Sequence, residues 1–572
     1  MTVDQQVINK TSPPRKPAAR LRELKPQLPW VIVSVVVLGA VLLPALPLQI
    51  RAFTDNAKGL RESMGLRDYG EMLWTTLTLG VGALAVAMVL GVLLALCMHS
   101  LSPKLRRYLS FLPITPMVIP AVAHVVGFVF LFSPENGYVN SILRATPFFD
   151  GTTGPINVYQ PSWIIVYTGV NLTSFVYLFV YTGLRNLGND YAMAARVNGA
   201  GSMRTLFTVT LPLLRPSLIY AAVVAFLLAL GQFTGPLMLG RREGLDVITT
   251  RMFEMTEQYP VDYPVVAGLG TPLIVVAIFL VVFQRRAVGN QNRFVGTISS
   301  TKAADPTTVT NVVGATIIIL FALFAAILPI LATVVVAFSQ FWTGTPSMDS
   351  FTTQHFTTVL EDSDFWDSVQ TTLVAAVSAV LISIPVGMVI AIGLYNRDRM
   401  WAPIGSVMDT AANLPLTLPA SLMGFGFLFV FSQTGVYGSI GSLIAAYTIL
   451  MIPYSVRYQL ATLVQIGRHT TEASNVSGAS QMRTFLQVII PLARSGIASS
   501  TVIMFILIIH EFGVSLLLRA PDVTVLSVLL FDAFAGGSYP QVAVMALFMS
   551  AITAIGVILG VLLGGSRAFE KM

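Results

Sequence analysis

Residues 193–215 read MAARVNGAGSMRTLFTVTLPLLR, and residues 472–494 read EASNVSGASQMRTFLQVIIPLAR. Shifted by 279 positions without a gap, eleven of the 23 pairs are identical: Ala194/Ala473, Val197/Val476, Gly199/Gly478, Ala200/Ala479, Met203/Met482, Arg204/Arg483, Thr205/Thr484, Val209/Val488, Pro212/Pro491, Leu213/Leu492 and Arg215/Arg494. Unrelated apolar segments do not coincide at this rate, so the chain is an internal duplication. Weaker echoes surround the repeat. Gly188 and Gly467 match at the same shift, and Thr75-Thr76 opens one apolar stretch as Thr371-Thr372 opens another. The PITPMVIP stretch ending at Pro120 resembles PLTLPA near Pro419.

The duplicated material is apolar. Of 572 residues, 55% are hydrophobic and 11% charged, with a mean hydropathy of +0.75. A water-soluble fold of this length cannot hide so much apolar surface, whereas a bilayer accepts it. A spanning helix needs about 20 apolar residues. Twelve stretches qualify, near 29–50, 72–97, 109–133, 162–184, 216–239, 263–284, 312–339, 370–395, 403–432, 438–463, 497–518 and 541–565. The expected fold is therefore an all-α, polytopic membrane protein with about twelve transmembrane helices in two parallel six-span repeats. The expected division is a disordered cytoplasmic tail over 1–28, one transmembrane domain over 29–284, a cytoplasmic linker over 285–311, and a second domain over 312–572. No small-residue cleavage pattern follows the first apolar stretch, which excludes a signal-peptide reading. The single cysteine, Cys97, falls within the second span and reads as a small core residue.

The net charge of +7 reports topology rather than a nucleic-acid partner. With the N-terminus inside and twelve crossings, inside segments hold 24 of the 34 Lys and Arg, outside segments nine, and Arg457 lies within a span. That is the positive-inside bias, and it places both termini in the cytoplasm. The outward segment 340–369 is acidic, with Asp349, Glu361, Asp362, Asp364 and Asp367 and no Lys or Arg. A solvated loop is the plain reading of that segment, and docking of a basic or cation-loaded partner the sharper one.

The repeated segment lies between the fourth and fifth spans of each half, on the cytoplasmic side. Ala194, Ala195 and Ala200 favour helix, while Gly199 and Gly201 permit a sharp change of direction. Pro212 closes the segment. The result is a short surface helix bearing Arg196 and Arg204, expected to lack bulky apolar residues on one side and to fit a groove on another protein. This pattern, A-A-x3-G-x9-[IV]-x-[LI]-P, resembles the EAA loop of permeases in ATP-binding-cassette importers. The resemblance implies that the helices around 193–204 and 472–483 each dock on one ATPase subunit. It carries over to Ala194, Ala195, Gly199, Ala200, Arg204 and Pro212, and to Glu472, Ala473, Gly478, Ala479, Arg483 and Pro491. Met193 stands where the acidic residue is usual, while Glu472 keeps it, which implies an asymmetry between the two docks.

The resemblance covers essentially the whole chain. It implies a permease subunit in a bacterial inner membrane, served by two ATPase copies and an extracytoplasmic solute-binding protein. The fused arrangement is similar to iron(III), thiamine, polyamine or phosphonate permeases. The segments GQFTGPLMLG (231–240) and HEFGVSLLLRAPDVTVLSVLLFD (510–532) look nearest to the iron(III) type.

No G-x-x-x-x-G-K-[ST] loop occurs, so ATP must be used by a separate subunit, and no cofactor is expected on this chain. No H-E-x-x-H, Cys/His cluster or G-x-S-x-G element supports an enzyme or a metal site. Ionisable groups at membrane depth are costly and therefore candidates for function. Glu511 aligns with Gln232, and Phe512 with Phe233, at the 279 shift. Two such pairs at matched depth would face each other across the axis and line a pathway, or else form structural hydrogen bonds between helices. His124 is a further pathway candidate, although one histidine on an apolar helix is more often a core residue. Its neighbours Pro113, Pro116 and Pro120 suggest a broken helix. Asp409 reads as pairing with a cytoplasmic base, and Arg457 as snorkelling to the interface. The alternative function is an ion-gradient-driven carrier with two six-helix halves, for which the membrane carries few coupling residues.

Overall fold

The computed structural model describes residues 27–149, 151–187, 190–288, 308–345 and 348–564. The expected tail, except its last two residues, and most of the linker lie outside the described residues. Among the described residues, nine helices are long and apolar enough to cross a membrane: Leu28–Met64, Tyr69–Ser100, Pro161–Leu187, Tyr263–Gln284, Thr308–Phe338, Ser363–Tyr395, Ile440–Ile466, Gln481–Ile509 and Tyr539–Leu559. Three bent pairs, each counted as one span, bring the number to twelve. Among the described residues the only β pairing is two isolated bridges, Ser339 with Phe351 and Ala520 with Val523.

Two of the bends fall at prolines. Pro103–Val118 and Ala121–Phe132 meet at 95°, and Ala402–Thr417 and Ala420–Thr434 at 101°. Ile119 and Leu418, each preceding a proline, take extended backbone, because proline pushes its predecessor out of the helical region. The prolines around His124 thus break the third span as expected, and Pro419 does the same in the ninth. The fifth span departs from its expected bounds. Its helix Arg215–Leu230 ends fifteen residues after it begins, and 231–240 continue as a loop and a wide turn.

Each half begins with a helix that crosses onto the other half. Gly127 lies against Pro329, where an added Cβ would come within 2.8 Å of the Pro329 carbonyl oxygen. Gly426 holds the matching position against Pro44, and a Cβ there would fall inside the Pro44 carbonyl. Only glycine permits backbones this close. A hydrogen bond completes the first of these crossings. Pro329 has no N–H for the carbonyl four residues before it, that of Ala325. His124 Nε2 donates to that carbonyl at 2.7 Å, and its Nδ1 lies 2.9 Å from the Asn171 side-chain oxygen.

The paired threonines have a matching role. Thr76 Oγ1 accepts the N–H of Ile248 at 3.1 Å, and Thr372 Oγ1 accepts the N–H of Leu526 at 2.8 Å. Each caps the start of a short helix, Ile248–Glu257 or Leu526–Ala535, whose first N–H groups have no partner within the helix. Cys97 is a buried free thiol in the second span, as expected of a core residue.

Candidate functional site

Two places repeat with their geometry intact. The first is the pair of loops. In one, helix Asp190–Val197 turns at Gly199 (φ +81°) into Ser202–Thr205; in the other, Arg468–Val476 turns at Gly478 (φ +80°) into Gln481–Thr484. The closing hydrogen bonds are the same. Ala200 N donates to the Ala195 carbonyl at 3.0 Å, and Ala479 N to the Ser474 carbonyl at 3.2 Å. Positive φ is where glycine is needed, and open space lies beside both Cα atoms. The same positions share the same exposure: Ala194 and Ala473 face out, while Ala195, Ala200, Ser474 and Ala479 are half-buried. Pro212 and Pro491 sit in the first turn of the helix that follows, where no N–H is required. Gly188, the partner of Gly467, lies outside the described residues.

One expectation about these loops needs correction. Their outer face carries bulky apolar groups at matched positions: Val197 and Val476 are 87% and 89% exposed, and Met203 and Met482 are 72% and 66% exposed. Both pairs were visible as identities in the repeat, but identity alone does not tell an exposed residue from a core one. Thr205 and Thr484, equally identical, are buried. Arg204 and Arg483 are exposed, with Arg483 Nε donating to Gln487 Oε1 at 3.0 Å. Glu472 lies 3.8 Å from the exposed His469, and Met193 is exposed at the corresponding place in the first loop.

The second place is the axis between the halves. Phe233 and Phe512 stack with centroids 6.0 Å apart and planes at 26°. Each also meets an equivalent ring of its own half, Phe253 at 5.6 Å and Phe531 at 5.2 Å. Both stacked phenylalanines are buried, 5% and 2% exposed. Beside them, Gln232 Oε1 accepts the Thr168 hydroxyl, and Glu511 Oε1 accepts the Val514 N–H at 2.9 Å. The backbones are pinned alike: Thr249 donates to the Gln232 carbonyl at 2.8 Å and Ser527 to the Glu511 carbonyl at 3.1 Å. The residues paired by sequence therefore meet around one axis. The Gln232 side chain is held by helix Pro161–Leu187, and the Glu511 side chain by its own loop.

His124 is fully buried and does not join this group. Its Nε2 contact ties the third span to Ala325 of the other half, and its Nδ1 contact ties it to Asn171 of its own half. Asp409 and Arg457 also stand differently from expectation: they bond each other at 3.2 Å rather than a cytoplasmic base or the interface. At the end opposite the loops, Arg519 links the halves, reaching Glu257 of the first half at 3.2 Å and Asp532 of the second at 3.1 Å.

Comparison with known proteins agrees with the duplication. The family described as "Binding-protein-dependent transport system inner membrane component" matches twice, over residues 87–293 and 383–566. A probable ABC transporter permease protein of Sinorhizobium fredii is 21% identical over 500 residues, 84% of this chain and 85% of that one. A ferric transport system permease protein of Actinobacillus pleuropneumoniae is 21% identical over 471 residues, covering 79% of this chain and 65% of the relative. A spermidine/putrescine transport system permease protein of Haemophilus influenzae is 26% identical over 239 residues, 41% of this chain and 79% of the relative.

Proposed function

The chain belongs to the binding-protein-dependent transport system inner membrane components, multi-pass permeases of ABC transporters, and from that premise we propose how its two repeated sites work together. The loops at 193–204 and 472–483 each dock one copy of a separate ATPase subunit. The axis between the halves, closed by Phe233 and Phe512, is the route of the solute. ATP-driven approach of the two ATPases moves the loops, the halves rock, and the aromatic closure parts. Both termini and both loops face the cytoplasm in this reading, which the distribution of Lys and Arg supports. The acidic segment around helix Gln354–Glu361 faces outward and receives a solute-binding protein. The division into 29–284 and 312–572 follows the repeat.

The single observation that carries this reading is the matched exposure of Val197, Met203, Val476 and Met482 on two loops of the same geometry. Apolar side chains so exposed at the end of a membrane bundle, and outside its apolar stretches, mark a protein interface. Family membership removes the ion-gradient carrier as the alternative. Iron(III) is the solute we favour, from the likeness of 231–240 and 510–532 to the iron(III) type and from the ferric transport system to which one relative belongs.

The test uses the single buried thiol of the chain. With Cys97 replaced by Ala, new cysteines at Val197 and Val476 should each cross-link to a co-expressed ATPase subunit. Cross-linking at neither position, in a chain that still inserts, would overturn the docking proposal.

A further inference from the structure

We propose that Arg457, Asp409 and Asn413 form an oxyanion-accepting site on the axis-facing side of the second half, between the Phe233–Phe512 closure and the second loop. The proposal rests on the permease reading and deepens it by naming a chemical class for the solute. Arg457 Nε donates to Asn413 Oδ1 at 2.8 Å, and Arg457 Nη2 to Asp409 Oδ1 at 3.2 Å. Asn413 Nδ2 donates to the same carboxylate oxygen at 3.1 Å. These bonds fix the guanidinium plane. Among the described residues its Nη1 edge has no protein partner, and the Arg457 side chain is 49% exposed.

A half-exposed guanidinium within the spanning helix Ile440–Ile466 faces either lipid or a water-filled route. Lipid contact is the costly alternative. The helix itself indicates which side is meant. Tyr447, Tyr454, Tyr458 and Ala461 fall on one face at helical spacing, with Arg457 at its edge. Tyr447 bonds Ser515 of the Glu511 loop at 2.6 Å, and Tyr454 lies within electrostatic reach of Glu511. This face therefore looks toward the axis, and Arg457 lies one turn nearer the second loop than Tyr454.

The first half has no counterpart. At the 279 shift Arg457 falls on Leu178, and at the shift of 299 that aligns Pro120 with Pro419, Asp409 and Asn413 fall on Ser110 and Ile114. The site is thus single, as one solute on one route requires. A planar guanidinium with a free edge matches carboxylate, phosphate or sulfate in bidentate fashion. Asp409 holds that plane while repelling the anion, which keeps the site weak enough for the solute to leave. The oxyanion is either the solute itself or a ligand carried on an iron(III) complex.

The experiment titrates the purified full chain with potassium phosphate, potassium citrate and iron(III) citrate at constant ionic strength, with chloride as control. The wild type should show saturable binding of at least one of them. Arg457→Gln should abolish it, Arg457→Lys should weaken it, and Asp409→Asn should tighten it by up to about fivefold, the order of an exposed ion pair. If Arg457 and Asp409 only stapled two helices, both substitutions would move binding the same way, and that result overturns the proposal. So does absence of oxyanion binding by the wild type, or iron(III) citrate binding indifferent to Arg457. Binding of citrate with and without iron identifies the free oxyanion; binding of iron(III) citrate alone, lost in Arg457→Gln, identifies the complex. Co-purification of the ATPase with the wild type reports on the permease reading separately.

Discussion

Phe233 and Phe512 stack across the axis between two halves whose loops place them 279 residues apart in the chain. Each ring is backed by a second ring of its own half, and each preceding residue has its carbonyl held by a hydroxyl. An aromatic pair of this kind contributes about 0.5–1.5 kcal/mol beyond its buried area. In the proposed cycle that is enough to favour a closed route while leaving it within reach of an ATP-driven opening.

Truncating the closure should therefore loosen it. Phe233→Ala and Phe512→Ala should each raise solute-independent ATP hydrolysis of the reconstituted complex by up to about tenfold, the equivalent of the lost pair. The double variant should add little, because the first truncation already removes the stack. Hydrolysis rates in proteoliposomes without binding protein check this.

The two glycine–proline crossings hold the halves together. Gly127→Ala and Gly426→Ala should each destabilise the detergent-purified chain by about 1–3 kcal/mol, the range for forcing bulk into a packed contact. A thermal-unfolding series reads the loss, and Gly39→Ala, which meets open space, is the control.

Arg519 joins the halves at the end opposite the loops, through Glu257. Arg519 and Glu257 are partly exposed, so the link contributes at most about 1 kcal/mol. Glu257→Gln should raise basal ATP hydrolysis by no more than about fivefold, and high salt should reproduce much of that rise in the wild type. A salt series on both proteins separates the electrostatic part from any change in fold.

Asp246 lies just before the capped helix Ile248–Glu257, outside the spans. Burial, and then the nearby Glu254 carboxylate, hold its carboxyl above the usual aspartate range. The folded chain therefore binds this proton more tightly than the unfolded chain, and the group's contribution to stability falls as pH rises from the normal aspartate range through the raised one. Asp246→Asn should accordingly raise the melting temperature at neutral pH, with the gain shrinking on acidification. Melting curves across that range decide it.

Much of this arrangement was legible in the sequence because duplication makes two copies comment on each other. The repeat pointed to the loops, the aromatic pair and the paired threonines, though not to their capping role, and Pro113, Pro116 and Pro120 announced the broken span. What stayed hidden depends on contacts between distant segments. His124 meets the Ala325 carbonyl that Pro329 leaves free, 201 positions further along the chain, and no local pattern links them. Asp409 and Arg457 have no copies in the first half, so nothing in the repeat paired them. Val197 and Met203 were visible as identities but not as surface. Which face of a short amphipathic helix is open depends on how the helix lies against the bundle.

The most direct measurement is ATP hydrolysis by the chain reconstituted with its ATPase, comparing wild type with Gly199→Asp, Gly478→Asp and the double variant. Both glycines have positive φ and open surroundings, so an aspartate there strains the loop and projects into whatever docks on it. The account predicts that each single variant weakens coupled hydrolysis and that the double variant abolishes it, with normal membrane insertion throughout. Unchanged hydrolysis and uptake in all three would contradict the docking of ATPases on these loops.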